Sequence, residues 1–393
     1  MTKKSLGILG DGQLAQMTCL AGQALGLTMH VLASDRQNPA ALVADQVWVG
    51  DWTDTDLLTR FAQSVDAVTY DTELLPIDGV RLAAKYTNAF PHPDILFMAQ
   101  NRIREREFLL RQGIPIPRIA VIHDKADVLP AVAFVGTPCV LKTAEQGYDG
   151  KGQVRIDDPA KAHDAFLTLG SVACVLEEWV DFEREMSVIV AGDQLGHSKT
   201  FSVIDNEHRR HILHLSTAPS TLPDHVQQEA IEIGLSLARA CGLVGLLTVE
   251  MFYAKDGRVL VNELAPRPHN SGHHTQLSAV TSQFTQLCRA MAGMELGSTE
   301  QKPAAMINLL GDIFLDADDS PFIHTGFAPG SRTDLAVFYY GKREARAGRK
   351  MGHILAVADS LSAAVKLAQT HEKELVKRYG GGSEKYDAVT GRA

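Results

Sequence analysis

An α/β beginning joined to an α+β middle is the architecture this 393-residue sequence predicts, with a small β-rich region at its end. Three observations predict it. Strand and helix patterns alternate over the first 70 residues, which implies a parallel sheet. From about Val121 the strand patterns run in succession, and they culminate in a hairpin centred on Asp256-Gly257. Beyond Gln301-Lys302-Pro303 come short apolar strands, Ala305 to Leu310, Leu335 to Tyr340 and His353 to Ala358. The chain is too long for one ordinary core, so two or three domains are expected.

Taken in order, Ser5 to Leu9 reads as a strand, Gly10-Asp11-Gly12 as a turn and Gln13 to Gly26 as a helix. Met29 to Leu32, Val47 to Val49 and Ala67 to Tyr70 read as further strands, with a helix near Asp54 to Gln63. The prolines of Phe90-Pro91-His92-Pro93 suggest a boundary, and one long helix is expected from about Asp94 to Gln112, closed by Gly113. Cys139 to Lys142 is a strand entering a glycine loop; Val172 to Glu178 and Glu185 to Val190 are strands. Asp224 to Cys241 is a helix with Gly242 as its C′ residue. The expected domains are 1–98, 99–302 with a lid at about 120–180, and 303–375, followed by a flexible tail, 376–393.

Composition narrows the function classes. Apolar residues make up 45% and charged residues 22%, as in soluble globular proteins. The net charge of −9 argues against a nucleic-acid surface. No signal-peptide pattern and no membrane-spanning apolar run is present. The five cysteines are scattered without a CxxC pair, as expected of free thiols in a reducing cytoplasm.

The most informative spacing is that of Glu250 and Glu263. If Asp256-Gly257 is a two-residue loop, Lys255 pairs with Arg258, Phe252 with Val261, and Glu250 with Glu263. The two carboxylates then face each other with Cβ atoms about 5 Å apart, where they repel unless a cation lies between them. Thr248, Phe252, Val259 and Val261 would share their face and keep it from being a solvated strand edge. A three- or five-residue loop would slip this register. Carboxylate oxygens without Cys or His suit Mg2+, commonly shared with phosphates.

Lys142 precedes Gly147-Tyr148-Asp149-Gly150-Lys151-Gly152-Gln153. Its three glycines let backbone N–H groups approach an anion, and Lys142 can reach a phosphate. The order does not fit the P-loop. Gly10-Asp11-Gly12-Gln13-Leu14-Ala15 matches the dinucleotide fingerprint, with Asp35 following, and offers the competing reading of a nicotinamide oxidoreductase. His269 and His273 are four apart, but the prolines and Gly272 around them disfavour the helix that a zinc pair would need. Arg346 to His353, with Lys342 before it, is a basic cluster that reads on its own as a solvated basic turn and could also grip a phosphate.

Together these segments, with Glu177 to Val188 and Asn262-Glu263-Leu264-Ala265-Pro266-Arg267 followed by His269 to His273, resemble the ATP-grasp superfamily. Within it they resemble the N5-carboxyaminoimidazole ribonucleotide synthases of purine biosynthesis. The resemblance implies an ATP-grasp fold with an N-terminal Rossmann-like domain and a small C-terminal β-rich domain. It implies ATP, Mg2+, bicarbonate and 5-aminoimidazole ribonucleotide as reactants, no nucleic-acid or membrane partner, and a homodimer. Mapped onto this sequence, it places Glu250 and Glu263 on the metal. Around ATP it places Arg102, Lys142, Gly147, Tyr148, Asp149, Gly150, Lys151, Gly152, Gln153, Glu177, Glu178, Trp179, Val180, Glu185, His208, Asn262 and Glu263. Tyr148, Asp149, Lys151, Arg267 and His273 are the implied catalytic groups. Gln13, Glu73, Asn270, Ser271, Lys342, Arg349 and Lys350 would hold the ribonucleotide. The N-terminal glycine turn would then face substrate phosphate. Thr69 to Pro76 departs from the family's usual TYEFENVP, with Leu74 in place of asparagine, and Ala144-Glu145-Gln146 replaces a more basic lead-in.

Overall fold

A computed structural model describes residues 3–145, 147, 151–315, 317, 321–323, 325–328 and 330–379. The first five strands form one parallel sheet in the order Gln46–Val49, Thr28–Ala33, Ser5–Leu9, Ala67–Tyr70, Asn88–Ala89. Ser5–Leu9 is buried after its first residue, as a strand covered on both faces must be. Strand order reverses on either side of Ser5–Leu9, so the Gly10-Asp11-Gly12 turn and Asp71 stand side by side at a topological switch point. Ligands of open α/β sheets bind in such crevices.

The single helix expected from Asp94 to Gln112 is two helices, Pro93–Ala99 and Arg102–Arg111. Asn101 breaks it: its side chain accepts from the N–H groups of Ile103 and Arg104. An asparagine N-cap of this kind contributes about 1 kcal/mol, and it was a readable signal. The break turns Arg102 toward the glycine loop, where its N–H donates to the Ala144 carbonyl at 2.8 Å.

Four antiparallel strands, in the order Ile119–Ile122, Cys174–Glu178, Cys139–Thr143, Gln153–Ile156, form a separate small sheet. Helices Val128–Val135 and Ala162–Thr168 close its core. The glycine loop joins Cys139–Thr143 to Gln153–Ile156; Gln146, Tyr148, Asp149 and Gly150 lie outside the described residues.

The remaining strands form one ten-stranded sheet. Its edge is the hairpin Gly245–Ala254 with Val259–Ala265. Helix Asp224–Cys241 packs Val226, Ile233 and Leu237 against the back of this sheet, each contributing about 1.5–3 kcal/mol. The C-terminal strands do not stand apart. Ala304–Leu310 pairs with Ile212–Ala218 and extends the central sheet through Lys350–Val357 to Leu335–Tyr340. Helix Leu361–Tyr379 lies against this extension and runs past the boundary expected at 375. All five cysteines are free. Among the described residues no helix is long and apolar enough to cross a membrane.

Candidate active site

Glu250 and Glu263 are direct cross-strand partners, as expected, but by a different route. The loop has three residues rather than two: the Ala254 N–H donates to the Arg258 carbonyl at 2.9 Å, and Gly257 has φ +89°. Pairing therefore starts one residue out of the expected register, with Tyr253 opposite Val259 and Phe252 opposite Leu260. A bulge between Glu250 and Met251 inserts Asn262 and brings the carboxylates back opposite each other. The slip has a cost for the other expectation. Val259 and Val261 face the core beneath the sheet, while Leu260 joins Phe252, Val180 and Ala254 in a small apolar wall.

The Nε2 atom of His269 lies 2.6 Å from Glu250 Oε1. The Ser271 N–H donates to His269 Nδ1, which leaves Nε2–H to point at the carboxylate. Burial pushes the Glu250 carboxyl up, but its contact with His269, with His208 and Arg267 behind, holds it at about 2. Glu263 is more open, with Arg102 Nη2 at 3.6 Å. Two opposed carboxylates, one held ionised, fit a hard divalent cation. Among the described residues no group of three or more His, Cys, Asp and Glu could hold a metal. Phosphate and water oxygens would have to complete the shell.

The expected nucleotide groups gather on one side of this pair. Lys142 Nζ is 2.6 Å from Glu177 Oε2 and 3.5 Å from Asn262 Oδ1. Burial lowers the Lys142 amine, and Glu177 opposes that. Burial raises Glu177, but Arg106, Lys142 and Arg102 hold it at about 2. Glu177 was expected at an adenine edge; its carboxylate is instead spent on Lys142 and Arg106. Glu178 pairs with Arg258 at 2.9 Å, and Arg155 lies over the Trp179 ring at 4.1 Å. Glu185 Oε2 meets His208 Nδ1 at 2.6 Å on the neighbouring strand. Gly147 sits where a Cβ would come within 3.7 Å of Arg102 Nη2, so the loop's start reaches the same spot. Lys151 is exposed, Gly152 adopts φ +71°, and Gln153 pairs with Lys142.

On the other side lies the switch point. Arg267 Nε donates to Glu73 Oε2 at 2.7 Å, tying the hairpin strand's exit to the N-terminal sheet. Gly10 and Gly12 press on Asp71: a Cβ on Gly10 would sit 1.8 Å from its Oδ1. Asp71 Oδ2 accepts the Gly12 N–H at 2.8 Å, so the amide that a dinucleotide pyrophosphate would use is already taken. Burial raises the Asp71 carboxyl to about 7, against the Gly12 hydrogen bond. Gln13 opens the helix that follows. Lys342 Nζ donates to the Lys350 carbonyl at 2.7 Å, and Arg349 donates to the Glu344 carbonyl at 3.0 Å. Burial first, then Arg349 and Lys350, push the Lys342 amine down to about 7, while Asp71 pulls it up.

Two expected residues are not at the surface of this site. His273 is fully buried, 4.8 Å from the His353 ring and 5.7 Å from Phe284; burial drives its imidazole well below the usual range, so it is neutral. Ser271 is fully buried between Ser187 and His269 and orients the latter. Asn270, by contrast, has neither its amide oxygen nor its nitrogen hydrogen-bonded among the described residues. Sequence reasoning missed His269, Asp71 and the pair Glu105 and Arg106. His269 was legible as the histidine nearest in sequence to Arg267; the others had no local signal.

Three family models match in succession: a ribonucleotide synthetase preATP-grasp domain over 2–100, an ATP-grasp domain over 107–284, and a phosphoribosylaminoimidazole carboxylase C-terminal domain over 304–366. Fold and site thus define an ATP-grasp ligase. The chain is 36% identical over 350 residues to an N5-carboxyaminoimidazole ribonucleotide synthase of Bacillus subtilis, covering 89% of this chain and 90% of that protein. It is 37% identical over 373 residues to a bifunctional purine synthesis protein of Dictyostelium discoideum, again over 89% of this chain, but spans only 36% of that protein's length. The crystal structure of an ADP complex of an N5-carboxyaminoimidazole ribonucleotide synthetase superposes with TM-score 0.86 at 34% identity, covering 96% of this chain and all of that one. The chain belongs to the N5-carboxyaminoimidazole ribonucleotide synthase family.

Proposed function

We propose that this chain carboxylates the amine of 5-aminoimidazole ribonucleotide, using ATP and bicarbonate and releasing ADP and phosphate. The observation that carries the proposal is the opposed Glu250–Glu263 pair, with Lys142 and Arg102 on one side and Arg267 on the other. A phosphoryl group placed between them has cations on both flanks. Lys142, Arg102 and the glycine-loop amides grip the nucleotide phosphates. The wall of Val180, Phe252 and Leu260 takes the adenine, and Glu185 with His208 reads the ribose. Glu250 and Glu263 would hold Mg2+, which when bound would supply positive charge against the phosphate oxygens. Bicarbonate attacks the γ-phosphorus and ADP leaves; Arg267 stabilises the resulting carboxyphosphate. The substrate amine then attacks the carboxyl carbon, phosphate leaves, and the amine loses its proton. Glu73, Asn270, Lys342, Arg349 and Lys350, with Gln13 at the switch point, hold the ribonucleotide. Tyr148 and Asp149 are assigned to the aminoimidazole by resemblance. The reading extends to a homodimer working in the cytoplasm.

The test is ADP release with Mg-ATP and bicarbonate, with and without the ribonucleotide, while carbon-14 is scored in an acid-labile carbamate. ADP release that requires the ribonucleotide and matches label incorporation is expected. ADP release without label would move the acceptor elsewhere, and absence of any ATP turnover would overturn the reading.

A further inference from the structure

Arg106 has no surface exposure and belongs to neither the nucleotide nor the ribonucleotide contacts assigned above. Its guanidinium nevertheless touches three separate segments. Nε donates to Glu177 Oε1 at 2.8 Å, on strand Cys174–Glu178. Nη1 donates to Glu105 Oε2 at 2.9 Å, on its own helix. Nη2 donates to the backbone carbonyl of Asn262 at 2.5 Å. Asn262 is the residue that the bulge inserts, and a bulge leaves its extra residue out of the ladder. Arg106 supplies the missing partner. Glu105 reinforces the same place, since its Oε1 accepts the Leu264 N–H at 2.7 Å, two residues on.

The bulge is what restores Glu263 to its place opposite Glu250. The other arm of Arg106 fixes Glu177, and Glu177 fixes Lys142 Nζ at 2.6 Å. We infer that Arg106 is a positioning residue that sets, through one buried guanidinium, both the phosphate-gripping Lys142 and the metal-side Glu263. The inference rests on the nucleotide reading above. Only arginine suits the position, because its planar fork can serve a carboxylate and a carbonyl at once, whereas lysine offers a point charge. The charge balance agrees: Glu177 stays ionised between Arg106 and Lys142 although it is buried.

The experiment is ADP binding by calorimetry across a Mg2+ titration, together with steady-state kinetics, on the full chain and on Arg106→Met and Arg106→Lys. For Arg106→Met we expect ADP affinity to fall at least tenfold and half-saturating Mg2+ to rise at least tenfold, with the KM for the ribonucleotide changed less than twofold. Arg106→Lys keeps the charge beside Glu177 and loses the reach to Asn262. It should therefore recover most of the ADP affinity while its Mg2+ requirement stays raised, and this split is what a merely structural role would not produce. If the methionine variant does not fold, the lysine variant alone decides. Unchanged ADP affinity and Mg2+ dependence in the folded variants, or a fall in kcat alone with every KM intact, would overturn the role. Failure of the unsubstituted chain to bind ADP would instead overturn the nucleotide reading.

Discussion

The two ends of the site solve opposite electrostatic problems. At the nucleotide end, charges are buried in matched sets: Glu177 lies between Lys142 and Arg106, and Glu105 pairs with Arg106. At the end proposed for the ribonucleotide Lys342, Arg349 and Lys350 crowd together, and the Lys342 amine is forced down to about 7, by burial and then by its two neighbours. The first arrangement is complete in itself. The second gathers like charges, an arrangement that suits a phosphate. A scaffold can thus hold one ligand's contacts rigidly in place and leave those of another energetically unfinished.

The largest expected effect breaks the nucleotide end at its metal side. Glu263→Gln should cut kcat about 10³-fold, the scale of losing one major transition-state interaction, with the thermal midpoint nearly unchanged because Glu263 is partly exposed. Substantial turnover at saturating Mg2+ would remove Glu263 from the metal. Next, Glu177→Gln should cost about 3 kcal/mol of stability, because it leaves two buried cations poorly matched. The pH dependence has a definite sign. Glu177 sits at about 2 in the folded protein against an ordinary 4.5, so its contribution is fully present above pH 4.5 and fades as pH falls toward 2. Denaturant melts at pH 3 and pH 7 should converge in the glutamine variant relative to the parent.

The ribonucleotide end should respond to pH in the reverse sense. Lys342 is half deprotonated near pH 7 in the free protein, and a bound phosphate would raise it, so binding takes up a proton. Ribonucleotide affinity should therefore weaken as pH rises above 7, by up to about tenfold per unit. Lys342→Ala should flatten that profile and raise the KM for the ribonucleotide far more than that for ATP; equal effects on both would erase the contrast between the two ends. The smallest expected effect is that of Leu74→Asn, which restores the residue usual at that position. Leu74 is 66% exposed, so stability should move by less than about 0.5 kcal/mol, and the KM for the ribonucleotide by less than threefold.

Much of the molecule was legible in the chain because its signals are local. The glycine turn after Ser5–Leu9, the helix Asp224–Cys241 with its left-handed Gly242, and the carboxylate hairpin all announce themselves within a dozen residues. The hairpin register was right at Glu250 and wrong at Phe252, because a loop one residue longer and a bulge one residue further on cancel. No periodicity reveals two compensating irregularities. Arg106 escaped notice because Arg102-Ile103-Arg104-Glu105-Arg106-Glu107 reads as a solvated helix face. Its partners come from 71 and 156 residues away, and only the fold brings them together. The burial of His273 was hidden for a related reason: its motif places it near the chemistry, while packing that only the fold brings together buries it.

The continuous sheet also limits how the chain can be rearranged. Strand Ala304–Leu310 is hydrogen-bonded to Ile212–Ala218, so the last part of the chain is no detachable cassette. Cutting it away would strip a buried strand of its neighbour and leave a raw, sticky border of amides and carbonyls. Exchanging this end between homologues would succeed only where the recipient's border strand accepts the same hydrogen-bond register.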